Sequence, residues 1–260
     1  MERNFETVMI EQCSPVLAGL KAAGLFRYET RDCKDLAERV CGWNARLGEK
    51  GLRVRVLKGC ARTHRYLVYV YRENRLREVL SNENVRTFLV QEGYRLPEGS
   101  DDCEPLLRQL SRRLCCEAEF PHEIGVFLGY PLTDVVGFIE NQGRNFTCCG
   151  CWKAYGDRDA AERLFAQLNK CTRVYLRLFH SGTPIFRSFY PGACRRHHAP
   201  AGKILLLTRG RPLQSDPCTG RLCHIRTSAS DGRWYVDCGE NLTLRRNTNG
   251  WNVGDRSYSK

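Results

Sequence analysis

No run of 18 or more apolar residues occurs anywhere in the chain, so no segment reads as a membrane-spanning helix. The N-terminus lacks the basic start and apolar stretch of an export leader. It carries Glu2, Glu6 and Glu11 instead, and a cytoplasmic location is the expectation. No GxxxxGK[ST] follows the glycines of GVFLGYP, which excludes that phosphate loop. His122-Glu123 would begin a zinc-protease HExxH, but position 126 is Val, so that metal motif is absent. There is no paired CxxC layout, no internal repeat and no nucleic-acid-binding motif.

What is present is a chain of 260 residues with 42% hydrophobic content, enough for one large domain or two small ones. It has 15 cysteines. The number is odd and no export signal accompanies it, so reduced thiols are expected, many of them small core residues. The net charge is +12, and residues 191–260 supply +7 of it, with 12 Lys+Arg against 5 Asp+Glu. The excess is thus concentrated in one segment, and nucleic acid is not an expected partner.

Hydrophobic spacing predicts a helix over 3–12. A second is predicted from Pro15, with Ser14 as its cap, to Phe26, and a third over 33–47 with Leu36, Val40, Trp43 and Leu47 inward. Strands are expected at 52–57 and at 66–71, where YLVYVY suits a central position. Helices follow at 73–81, 83–92 and 103–117, the last with Leu106, Leu107, Leu110 and Leu114 inward. Residues 124–130 read as a strand or an apolar helical turn, and Pro131 starts a helix to about Asn141. Loop and strand are expected over 144–155, then a helix from Asp157 or Asp159 to Cys171, a strand at 174–179 and a returning strand at 185–190. Beyond Tyr190 only 204–208, 234–236 and 242–244 look strand-like. The expected fold class is mixed α/β, with helices packed on a small, mostly antiparallel sheet (1–190) and an irregular basic extension (191–260).

The segments CSPVLAGLK (13–21), PHEIGVFLGYP (121–131), DVVGFIENQG (134–143) and CWKAYGD (151–157) occur in one order. In this the chain resembles a bacterial family catalogued as domain of unknown function 3793, over about residues 1–190. The resemblance departs at Ala154, where the family usually carries valine. It implies no specific activity or cofactor, only a loose link to redox or iron metabolism.

Three sets of side chains carry candidate chemistry. Cys13, placed at the N-terminus of a helix starting at Ser14 or Pro15, would have an activated thiol; with His122 and Glu123 it would form a catalytic group for a thiol-dependent hydrolase or transferase. Gln12 would donate to the oxyanion. Lys21, Lys153 and Tyr155 are the candidates for ligand binding, with Gly150 and Gly156 allowing backbone approach to an anion. Cys148, Cys149 and Cys151 are weak metal candidates, with Cys115 or Cys116 as further ligands; Cys218, Cys223, His224 and Cys238 are a second weak set.

The leading expectation is a module that binds a small molecule or a protein partner, with thiol chemistry or metal binding as alternatives. A fragment of residues 1–190 is expected to unfold cooperatively on heating. Loss of a cooperative thermal transition in that fragment would assign 191–260 to the same folding unit.

Overall fold

The computed structural model describes residues 4–60, 62–97, 102–117, 119–182, 224–227 and 234–237. The chain divides into two units, Met1–Lys203 and Ile204–Lys260. In the first, helix α1 (Phe5–Leu17) leads to strand β1 (Ala23–Glu29), and α2 (Cys33–Leu47) to the hairpin β2 (Leu52–Cys60) and β3 (Arg65–Arg72). Helices α3 (Glu73–Ser81), α4 (Glu83–Gln91), α5 (Glu104–Cys116), α6 (Ile124–Phe127) and α7 (Leu132–Glu140) follow. A two-residue hairpin, β4 (Cys148–Cys149) with β5 (Lys153–Ala154), precedes the long α8 (Arg158–His180). In the second unit β6 (His224–Thr227) pairs antiparallel with β7 (Trp234–Asp237), His224 lying opposite Asp237.

Helix starts are set by short polar side chains that accept from otherwise unpaired backbone N–H groups. Asn4 caps α1, Asp32 caps α2, Asn82 caps α4 and Asp157 caps α8. Asp102 Oδ1 accepts from Glu104 N at 2.9 Å just ahead of α5.

The sheet has the order β1-β3-β2 and is antiparallel throughout, as expected, with YLVYVY in the centre. Alternation along the strands divides the side chains between two faces. Phe26, Tyr28, Leu52, Val54, Tyr66, Val68 and Val70 meet α1 and α2 on one face. Ala23, Tyr69 and Tyr71 meet α3 to α7 on the other. The same alternation turns Leu57 to that second core, where it is the extra residue of a bulge between Val56 and Lys58. The outer edge of β2 is covered: Asn44 of α2 donates to Val54 O at 2.9 Å and accepts from Val54 N at 2.8 Å. An amide side chain thus satisfies an edge position that would otherwise invite another strand.

Two expectations are corrected. Helix α1 is continuous through Pro15, and the residues expected to prolong a second helix to Phe26 form β1 instead. Ala and Leu favour helix by propensity, but pairing with β3 overrides it. The strand expected at 174–179 is the last part of α8, which lies along α1 and contributes Tyr175 to the α1–α2 core. The apolar turn at 124–130 takes its helical alternative, α6. Residues 185–190, 204–208 and 242–244 lie outside the described residues, whereas 234–236 falls within β7.

Tyr69, fully buried at the sheet centre, donates its hydroxyl to Phe127 O at 2.5 Å and so ties the sheet to α6. Tyr69→Phe leaves that buried carbonyl without the donor. It is expected to destabilise the chain by about 1–2 kcal/mol in urea unfolding.

Candidate functional site

Helix α1 is closed at its C-terminal end by Arg72 from the end of β3. Its Nε donates to Val16 O at 2.7 Å and its Nη2 to Leu17 O at 2.5 Å. The chain then turns tightly, with Leu20 N and Lys21 N both donating to Pro15 O. Lys21 is thereby fixed at the mouth of β1. Across from it the α6–α7 turn comes so close that a Cβ on Gly129 would lie 2.9 Å from the Ala22 Cβ; Gly129 also has φ +74°. Glycine is required there both by space and by backbone conformation.

Beneath Lys21 stands a ladder of aromatic rings. Its Nζ lies 4.6 Å from the centre of the Tyr130 ring. Tyr130 stacks on Trp152 at 4.5 Å, and Trp152 meets Phe165 of α8 edge-on at 4.6 Å. Trp152 belongs to the short hairpin loop, and one carboxylate holds that loop in place. Asp134, in the first turn of α7 and 5% exposed, accepts from Trp152 Nε1 at 2.8 Å, Tyr155 N at 2.8 Å and Gly156 N at 3.1 Å. The dipole at the start of α7 favours the negative charge in the same place. Gly150 lets the loop lie flat on α8, since a Cβ there would come within 2.2 Å of Phe165 Cδ2.

Two cavities open on either side of Lys21. One, of about 270 Å³, is bordered by Glu11, Gln12, Tyr130, Cys151, Asn169 and Thr172. The other, of about 150 Å³, is bordered by Arg75, Glu78, Gly129 and Trp152. Burial lowers the Lys21 ammonium to about 8, with the Cys13 and Cys151 thiols opposing the shift. Burial also pushes the Tyr130 phenol up to about 12 and raises the Cys151 thiol, against the pull of Lys21. The Cys151 thiol donates to Asn169 Oδ1 at 3.9 Å. Among the described residues, no carboxylate forms an ion pair with Lys21.

The other expected sites are dispersed. Cys13 is not at a helix N-terminus. It lies inside α1, fully buried, with its sulfur against Gly24, and burial pushes its thiol up to about 12. His122 is exposed on the opposite helical layer, packed 4.9 Å from the Phe138 ring and 6.0 Å from the Phe120 ring. Cys13 and His122 are thus separated by the sheet, and the expected catalytic pair does not form. Glu123 is buried and structural. It pairs with Arg113 at 2.9 Å and accepts from Tyr94 Oη at 3.0 Å, which binds α5 to the bend before α6.

Lys21, Lys153 and Tyr155 occupy separate environments. Lys153 Nζ donates to Gly143 O at 2.7 Å, in the turn that follows α7, and lies over the Phe146 ring. The Tyr155 ring packs on Gly137 of α7. Cys148 faces Ala154 and Phe165 in a small core, while Cys149 and Cys151 are exposed. Among the described residues, no three His, Cys, Asp or Glu side chains gather into a metal-binding group. Cys218, Cys223 and Cys238 lie outside the described residues.

Sequence reasoning missed Asp134, Tyr130, Trp152 and Asn169 as parts of one site. The available signal was an acidic residue in the first turn of the 132–140 helix, with an aromatic pair in CWKAYG to receive it.

Fold and cleft together define a mixed α/β protein built on an antiparallel three-stranded sheet, with a lysine-centred cleft beside the edge strand β1. The chain belongs to the family described as "Protein of unknown function (DUF3793)", whose profile matches residues 9–187. No curated protein and no solved structure matches it. No helix among the described residues is long and apolar enough to cross a membrane.

Asp134→Ala removes the acceptor for three donors at once. It is expected to cost about 3 kcal/mol or more in urea unfolding and to alter the near-ultraviolet circular dichroism of the Trp152 stack. Asp134→Asn, which keeps an acceptor oxygen, is expected to cost less.

Proposed function

We propose that the protein is a binding module for a small anionic molecule, held in the cleft beside Lys21. One observation carries this reading: a half-buried ammonium stands between two cavities, and no described carboxylate neutralises it. Buried lysines are ordinarily paired. A lysine left without a carboxylate, on an aromatic floor and beside open volume, is arranged for a charge that arrives from outside.

The arrangement lowers stability. The Lys21 ammonium titrates at about 8 in the folded chain against an ordinary 10.5, so below about pH 8 its charge opposes folding. That cost fades as pH rises from about 8 to 10.5. With partial access to water it amounts to about 1–2 kcal/mol. An anion bound beside Lys21 favours the charged form and relieves the cost.

The larger cavity, at about 270 Å³, falls just below the roughly 300–1,000 Å³ of pockets for drug-sized ligands. It fits a compact metabolite. Gln12, Asn169 and Thr172 at its border offer hydrogen-bonding groups to polar substituents. The link to redox or iron metabolism enters through the resemblance alone and assigns no residue of this cleft.

A thermal-shift screen of small carboxylates and phosphate esters tests the reading. Ligands are expected to raise the melting temperature of the native chain and not of Lys21→Met. Their affinity is expected to fall about tenfold per pH unit above 8, as the ammonium loses its proton. Ligands that stabilise both chains equally, with no dependence on pH between 7 and 9, would contradict it.

A further inference from the structure

We propose that Lys21 is a nucleophilic lysine, whose ε-amine condenses with the carbonyl carbon of a small aldehyde or ketone held in the cleft. The inference rests on reading the cleft as the ligand site and names the chemistry of that ligand.

The geometry differs from that of a lysine serving stability. Lys153 shows the contrast within the same molecule: its ammonium donates to Gly143 O and is thereby committed. Lys21 instead has a ring face 4.6 Å from its Nζ and cavities on both sides. Its main chain is held on two sides, by the α1 exit turn and by Gly129 against Ala22, which sets the point from which the side chain reaches the cavities. The burial that disfavours the ammonium favours the neutral amine, whose lone pair is the nucleophile. At neutral pH an appreciable share of Lys21 is in that form.

The condensation balances without any oxidant or reductant. The Nζ lone pair forms a bond to the carbonyl carbon, and the C=O π electrons move to oxygen, which takes up a proton. Nitrogen loses a proton, giving a carbinolamine. A second protonation at oxygen lets the C–O bond break, and water leaves as the nitrogen lone pair forms C=N. Loss of the remaining N–H proton gives the imine, so amine and carbonyl become imine and one water. Proton-transfer groups border the cavity: the Cys151 thiol, and the Tyr130 phenol, whose raised value keeps it protonated.

The test uses the full chain with glyoxylate as the carbonyl probe and cyanoborohydride to trap the imine, followed by peptide mass spectrometry. Lys34 and Lys170, both exposed, serve as internal references. Lys21 is expected to be modified on the order of tenfold faster than either at pH 7.5. Its rate is expected to level off above about pH 8. Lys21→Arg is expected to lose the fast modification and keep its fold. Modification of Lys21 no faster than that of Lys34 overturns the proposal.

Glycolate, which has the carboxylate but no carbonyl, separates this failure from failure of the binding reading. A shift of the Lys21 Cε resonance with glycolate, without fast trapping by glyoxylate, leaves an anion site and removes the nucleophile. No shift and no fast trapping removes both.

Discussion

The cleft depends on one buried carboxylate. Asp134 collects an indole N–H and two backbone N–H groups from a loop that has almost no regular structure of its own. A two-residue hairpin is too short to hold a shape in water. With those donors satisfied, the loop is fastened to α7, Trp152 stands upright between Tyr130 and Phe165, and Lys21 has a floor. Each contact in the ladder presumes the one before it. A charge-assisted acceptor at a helix N-terminus is among the stronger non-covalent anchors available in a protein.

Around this anchor the molecule separates its tasks. The sheet and its two helical layers supply the burial that holds the first unit together. Glu123 and Arg113 with Tyr94 bind the helices of one layer, and Arg72 closes α1 toward the sheet. These charged groups have partners and contribute to the fold. Lys21 is arranged otherwise: it borders two cavities, and no described carboxylate forms an ion pair with it. That contrast is what supports the proposed ligand reading.

Legibility in the sequence followed the range of the interactions. The four leucines of α5, the central position of YLVYVY and a start of α8 at Asp157 or Asp159 were readable, because periodicity and local hydrogen bonding specify them. The errors at β1 and at the end of α8 share a cause. AGLFRYE has helix formers and VYLRLF has strand formers, and in both cases packing against a distant element prevailed. Cys13 illustrates the consequence for chemistry, since moving a helix start by ten residues turns an apparently activated thiol into a buried one. The cleft draws on residues 11–25, 75–79, 128–130, 151–152 and 164–172, which meet only in the fold. Lys153, a candidate for anion binding in the sequence, is committed to Gly143 O, and its neighbour Trp152 lines the cleft instead.

The approach of Gly129 to Ala22 fixes one wall of the smaller cavity beside Lys21. Neither residue has a side-chain rotamer to change, so that wall can shift only if the polypeptide itself is re-routed.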